Sequence, residues 1–146
     1  MTPLKLGHIH LKVRNLEHSI QFYQNVAGLV VTDQIGSYAF LTTDASIHHT
    51  LALQALGPHA AVPQSGSVGL YHVAFEVDSE SAFGDAVKRA SLHSEIVGVD
   101  HGISWAVYFN DPDGNGVEIY LDRRSSQEGL PAWSGQQSRL DLTQYL

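Results

Sequence analysis

The feature that most constrains the fold of this chain is an internal duplication. Laying Leu6–Gln24 over Leu70–Lys88, a shift of 64 residues, brings His8 onto His72, Leu11 onto Phe75 and Val13 onto Val77. In both copies a strand-like alternation is followed by apolar residues at helical spacing. These are Leu16, Ile20, Tyr23 and Ala27 after a possible Asn15 cap, and Phe83, Ala86, Val87 and Ala90 after Asp78 and Ser79. Three shorter strand-like runs follow each helix: about 29–33, 38–42 and 50–56 in the first copy, and about 95–99, 103–109 and 117–121 in the second. Asp113-Gly114 turns the chain between the last two. Each half therefore reads βαβββ, and the Gly-, Pro- and Ser-rich stretch 57–69 joins them. The expected fold is α+β: two paired βαβββ modules, about 5–57 and 69–123, forming a curved mixed sheet within one domain spanning 1–123, with a tail over 124–146.

Strand parity then picks out chemistry. Ile9, Leu11 and Val13 alternate with His8, His10 and Lys12, while Val73, Phe75 and Val77 alternate with His72, Ala74 and Glu76. Val117, Ile119 and Leu121 alternate with Glu118, Tyr120 and Asp122. Two histidines and one carboxylate on a shared sheet face form the ligand set of a mononuclear metal site with open positions, most often non-haem Fe(II). Parity alone leaves His10 as an alternative to His8, because residues two apart share a face.

Composition narrows the partners. With 43% hydrophobic residues, 146 residues bury one good core but not two ordinary domains. The 15 acidic and 8 basic residues give a net charge of -7, which argues against nucleic acid. No apolar run approaches a membrane span, and the polar stretch 1–5 lacks the apolar stretch of a signal peptide. The absence of cysteine fits a cytoplasmic protein and leaves nine histidines as nitrogen donors.

These residues resemble the vicinal oxygen chelate superfamily, which includes glyoxalase I, antibiotic-resistance proteins and extradiol catechol dioxygenases. The resemblance rests on the paired modules, on Gly7-His8-Ile9-His10-Leu11-Lys12-Val13 followed by Ser19-Ile20-Gln21-Phe22-Tyr23, and on Asp111-Pro112-Asp113-Gly114-Asn115-Gly116-Val117-Glu118. It implies one metal held by His8, His72 and Glu118. Three further stretches look like extradiol motifs: His48-His49-Thr50-Leu51-Ala52-Leu53, Leu70-Tyr71-His72-Val73-Ala74-Phe75, and His101-Gly102-Ile103-Ser104 with Tyr108. By resemblance they make His49 the acid–base histidine, His101 a supporting histidine and Tyr108 the tyrosine beside the metal. Many extradiol enzymes have four modules; this chain has two.

The implied function is extradiol cleavage of a catechol-type aromatic diol by O2, with Fe(II), or alternatively Mn(II), as cofactor and a homodimer as the working unit. Residues 40, 51, 53, 103 and 105 are the expected pocket lining. Two other readings compete. A glyoxalase-type isomerase or lyase needs a fourth, usually acidic, ligand from the first module's last strand, where only Gln54 offers a substitute. A non-catalytic binding or resistance protein would use the same cleft, although such proteins commonly lack the triad that this chain retains. His48 is read as a strand-edge neighbour, and Trp133 as a packing anchor for the tail.

Overall fold

The computed structural model describes residues Met1–Leu146, which divide into two compact units, Met1–Gln64 and Ser65–Leu146. The division falls inside the Gly- and Pro-rich connector. Each unit carries one mixed sheet and one long helix, so the expected α+β class holds, with a separate sheet in each unit.

The first unit runs β1 (Ile9–Val13), α1 (Leu16–Ala27), β2 (Val30–Ile35), β3 (Tyr38–Thr42) and β4 (Leu51–Ala55). Its sheet order is β1-β4-β3-β2, with β1 and β4 parallel and the other pairs antiparallel. Asn15 caps α1 through its side-chain oxygen, which accepts from the His18 N–H at 3.0 Å. The helix buries Ser19, Ile20, Phe22, Tyr23 and Val26, which face Leu11, Val13, Leu51 and Leu53.

The second unit repeats the plan with β5 (Val73–Val77), α2 (Glu80–Ser91), β6 (Val97–Asp100), β7 (Ser104–Asn110) and β8 (Gly116–Asp122). Ser79 caps α2 by accepting from the Ala82 N–H, and Phe83, Ala86, Val87 and Ala90 form its buried stripe. The sheet order is β5-β8-β7-β6-β9. The fifth strand, β9 (Ser138–Arg139), comes from the tail and pairs with the outer edge of β6. The tail thus docks on its own unit, with Leu142 8% exposed beside Gly98 and the Tyr145 ring 5.8 Å from that of Phe83. Trp133 is no anchor: it is 58% exposed, and its indole N–H donates only to the Gln136 carbonyl.

Both strand starts differ slightly from expectation. Pairing begins at Ile9 and Val73, so His8 and His72 each sit one residue ahead of their strand. Burial still follows parity, most clearly on β8, where Val117, Ile119 and Leu121 are buried and Glu118, Tyr120 and Asp122 are half-buried. No helix is long and apolar enough to cross a membrane.

Candidate active site

Four of the expected residues form one chain of contacts in the second unit. Because β5 and β8 run parallel in register, Ala74 pairs with Glu118, and His72 lies just upstream with Nε2 2.8 Å from Glu118 Oε2. A Cβ on Gly116 would stand 2.2 Å from the Tyr71 carbonyl oxygen. Glycine is therefore required there for the His72 segment to approach β8. Tyr108 is paired with Glu118 across β7 and β8, and its hydroxyl donates to Glu118 Oε1 at 2.8 Å. His101 Nε2 stands 2.9 Å from the same hydroxyl. Since the phenolic hydrogen is committed to the carboxylate, His101 must donate from Nε2. Burial, reinforced by the Glu118 hydrogen bond and charge, pushes the Tyr108 phenol well above the usual tyrosine range. It remains a donor at every physiological pH.

The first unit contributes a histidine cluster. The His8 and His49 rings are 4.4 Å apart, and Phe40 lies 5.0 Å from His49. The Nδ1 atoms of His48 and His49 face each other at 2.9 Å, so one donates and the other accepts. His48 is therefore a hydrogen-bonding partner of His49 and more than a strand-edge neighbour; the adjacent His-His pair was the signal for it. Loss of hydration, followed by repulsion from His8, His48 and His10, holds His49 below the ordinary imidazole range. That favours a neutral ring able to accept a proton. His10 is set apart, edge-on to Tyr38 at 6.0 Å.

The three expected metal ligands are divided between the units: His8 in the first, His72 and Glu118 in the second. Neither unit by itself gathers three such side chains into a cluster of metal-binding size. The His72–Glu118 pair is two of the three donors: an imidazole nitrogen and a carboxylate oxygen stand 2.8 Å apart, a separation at which both can reach one divalent ion. His72 Nδ1 is buried with no partner.

The pocket residues are only partly as expected. Phe40 stands beside His49, but Leu51 and Leu53 are 1% and 0% exposed and belong to the core under α1. Trp105 lies on the α2 side of β7, with the Arg123 guanidinium 3.7 Å above its ring. Parity along β4 and β7 puts these three side chains on the core face, opposite Ala52 and Tyr108.

The model of the Glyoxalase/Bleomycin resistance protein/Dioxygenase superfamily matches residues 5–119. The catechol-2,3-dioxygenase of Bacillus subtilis (strain 168) is 39% identical over 123 residues, covering 83% of this chain and 42% of that protein. A biphenyl-2,3-diol 1,2-dioxygenase of Rhodococcus globerulus is 34% identical over 135 residues, covering 88% of this chain and 68% of its own length. Among solved structures, a glyoxalase/dioxygenase from Nostoc punctiforme superposes with a TM-score of 0.62 at 28% identity, covering 81% of this chain and 90% of that one. This chain therefore spans less than half of the first relative and about two thirds of the second.

Proposed function

Because the chain belongs to the glyoxalase/bleomycin resistance protein/dioxygenase superfamily, we propose that it is an extradiol dioxygenase cleaving a catechol-type aromatic diol with O2. The observation that carries this reading is Glu118, held between His72 and the Tyr108–His101 pair. A carboxylate oriented by a tyrosine and facing an imidazole nitrogen supports a metal-ligand role for Glu118 and His72, with Tyr108 orienting the carboxylate. We assign His8, His72 and Glu118 as the ligands of Fe(II) or Mn(II). When bound, that ion would supply adjacent positions for the two diol oxygens and for O2, and a path for electrons between them.

The remaining work falls to the protein. His49, held neutral and with Nδ1 engaged by His48, offers Nε2 to take a proton from the diol as it binds and to return it as the ring opens. Tyr108 fixes the carboxylate of Glu118 through a hydroxyl that stays protonated and that accepts in turn from His101. The ring bond beside the diol breaks and both atoms of O2 enter the product, so no further reductant is consumed.

The isomerase or lyase reading is disfavoured by register. In the first unit β4 pairs His10 with Ala52, the place where the second unit pairs Ala74 with Glu118. An acidic fourth ligand at that equivalent position is thus replaced by a buried alanine. Gln54, two residues on, donates to the Tyr38 hydroxyl instead.

The test is anaerobic reconstitution with Fe(II), then addition of catechol, 3-methylcatechol or 2,3-dihydroxybiphenyl. A yellow ring-cleavage product that develops only when O2 is admitted is the expected outcome. An iron-loaded protein that turns over none of these would move the assignment to another activity of the superfamily.

A further inference from the structure

The turn that carries His101 is tied down by residues beyond the family-matched region, which ends at 119. After β8 the chain folds back on itself. The Ser126 N–H and hydroxyl both donate to the Arg123 carbonyl, at 2.9 Å each, and the Gly129 N–H donates to the Ser126 carbonyl at 3.3 Å. This doubled-back segment grips the 101–103 turn at two points. The Arg123 N–H donates to the Ile103 carbonyl at 2.8 Å, and the Leu130 N–H donates to the Gly102 carbonyl at 2.9 Å. Leu130 also fills the space over Gly102, where a Cβ would lie 2.7 Å from Leu130 Cδ1. Gly102 itself has φ +75°, and its N–H donates to Asp100 Oδ1 at 2.7 Å.

Two features show that this closure is built. A Cβ on Gly129 would stand 1.6 Å from the Arg123 carbonyl oxygen, so only glycine permits the approach. Arg123 is 7% exposed, stacks on Trp105 and meets Glu128 at 3.3 Å. Desolvating a guanidinium is costly unless it is paired, so its position is fixed by these contacts.

We propose that residues 123–130 are a strap that positions His101, with Gly129 closing it and Leu130 pressing the turn so that His101 Nε2 stays on the Tyr108 hydroxyl. Leu130 and Gly129 are positioning residues acting through Gly102. The catalytic meaning of the strap rests on the function proposed above; its structural meaning does not.

The experiment separates the two. In the full chain, labelled with 15N and free of metal, amide exchange at Leu130 reports strap closure, and two-bond 1H–15N spectra report the His101 tautomer. The wild-type chain is expected to show a protected Leu130 amide and His101 protonated at Nε2. In Gly129→Ala, Leu130 exchange accelerates at least about tenfold and His101 populates both tautomers. Leu130→Ala keeps the backbone bond, provides the same readouts should Gly129→Ala fail to fold, and shows the tautomer mixing; Leu130→Met restores the single form. Trp133→Ala, in the exposed part of the tail, changes neither signal. On the iron-loaded enzyme, Gly129→Ala lowers kcat by on the order of tenfold with Trp133→Ala unaffected. A folded Gly129→Ala or Leu130→Ala with His101 unchanged overturns the strap. A wild-type chain that shows the strap signatures but cleaves no diol overturns the proposed function alone.

Discussion

The two units are the same plan with opposite contents at one spot. In the second, Glu118 on β8 pairs across β7 with Tyr108; in the first, Ala52 on β4 pairs across β3 with Phe40. An acid and its hydrogen-bond donor in one unit are thus an alanine and a phenylalanine in the other. The first unit keeps only its leading histidine, His8, and adds the His48–His49 pair. The duplicated backbone supplies equivalent positions, and a few side chains decide which copy carries a carboxylate and which carries a base. The edges differ as well. Strand β9 covers β6 in the second sheet, while β2 in the first has no strand outside it and carries a register shift between Val31 and Asp33.

The largest effects come from separating those two roles. His72→Ala is expected to abolish both metal retention and turnover, because it removes an assigned ligand. His49→Ala, in the other unit, should retain metal and lower kcat by roughly 10²–10⁴-fold, the usual contribution of an acid–base group. Metal content by atomic spectroscopy alongside turnover decides it: metal lost from His49→Ala would end the division of labour between the units.

Next in size is a test of how each helix fills its core. The duplication places Ser19 on Phe83 and Tyr23 on Val87. All four are 0% exposed, so the large side chain sits one turn later in α1 than in α2. The bulky aromatic ring changes position between the two helices. Phe83→Ala should cost about 3–5 kcal/mol by opening a cavity beside Trp105 and Tyr145. Ser19→Ala removes only a hydroxyl that donates to the Asn15 carbonyl, which keeps the Ser19 N–H, and should cost about 0.5–1.5 kcal/mol. Urea denaturation of both variants would show comparable losses if the two helices packed alike.

Much of this was legible in the sequence because period and parity are local. The shift of 64 residues gave both modules, and the helix stripes named the buried residues of α1 and α2. Alternation on β8 separated Glu118 and Tyr120 from the core. The failures were non-local. Leu51, Leu53 and Trp105 were expected in the pocket as lining suited to an aromatic diol, yet their parity sends them to the helices. The tail has no period because its short strand and turns are dictated by the unit it packs on, and β9 is only two residues long. The Nδ1 contact of His48 with His49 depends on ring orientation, which no spacing rule encodes.

The smallest effect sharpens the comparison most directly. Tyr108→Phe makes the second unit resemble the first at that position. It removes the hydroxyl joining His101 to Glu118 and leaves Oε1 of the carboxylate without its donor. The metal should be retained, since none of the three assigned ligands is lost, while kcat falls by about tenfold, near 1.4 kcal/mol, through a less well-oriented carboxylate. The pH response has a definite sign. Because burial and Glu118 raise the folded phenol's pKa above that of the unfolded chain, its stabilising contribution is whole below about pH 10 and declines only as pH rises further. The wild-type advantage over Tyr108→Phe in thermal unfolding should therefore be constant from pH 6 to pH 9. A difference that changes between those values would mean that the phenol ionises within that range and is not held above its ordinary value.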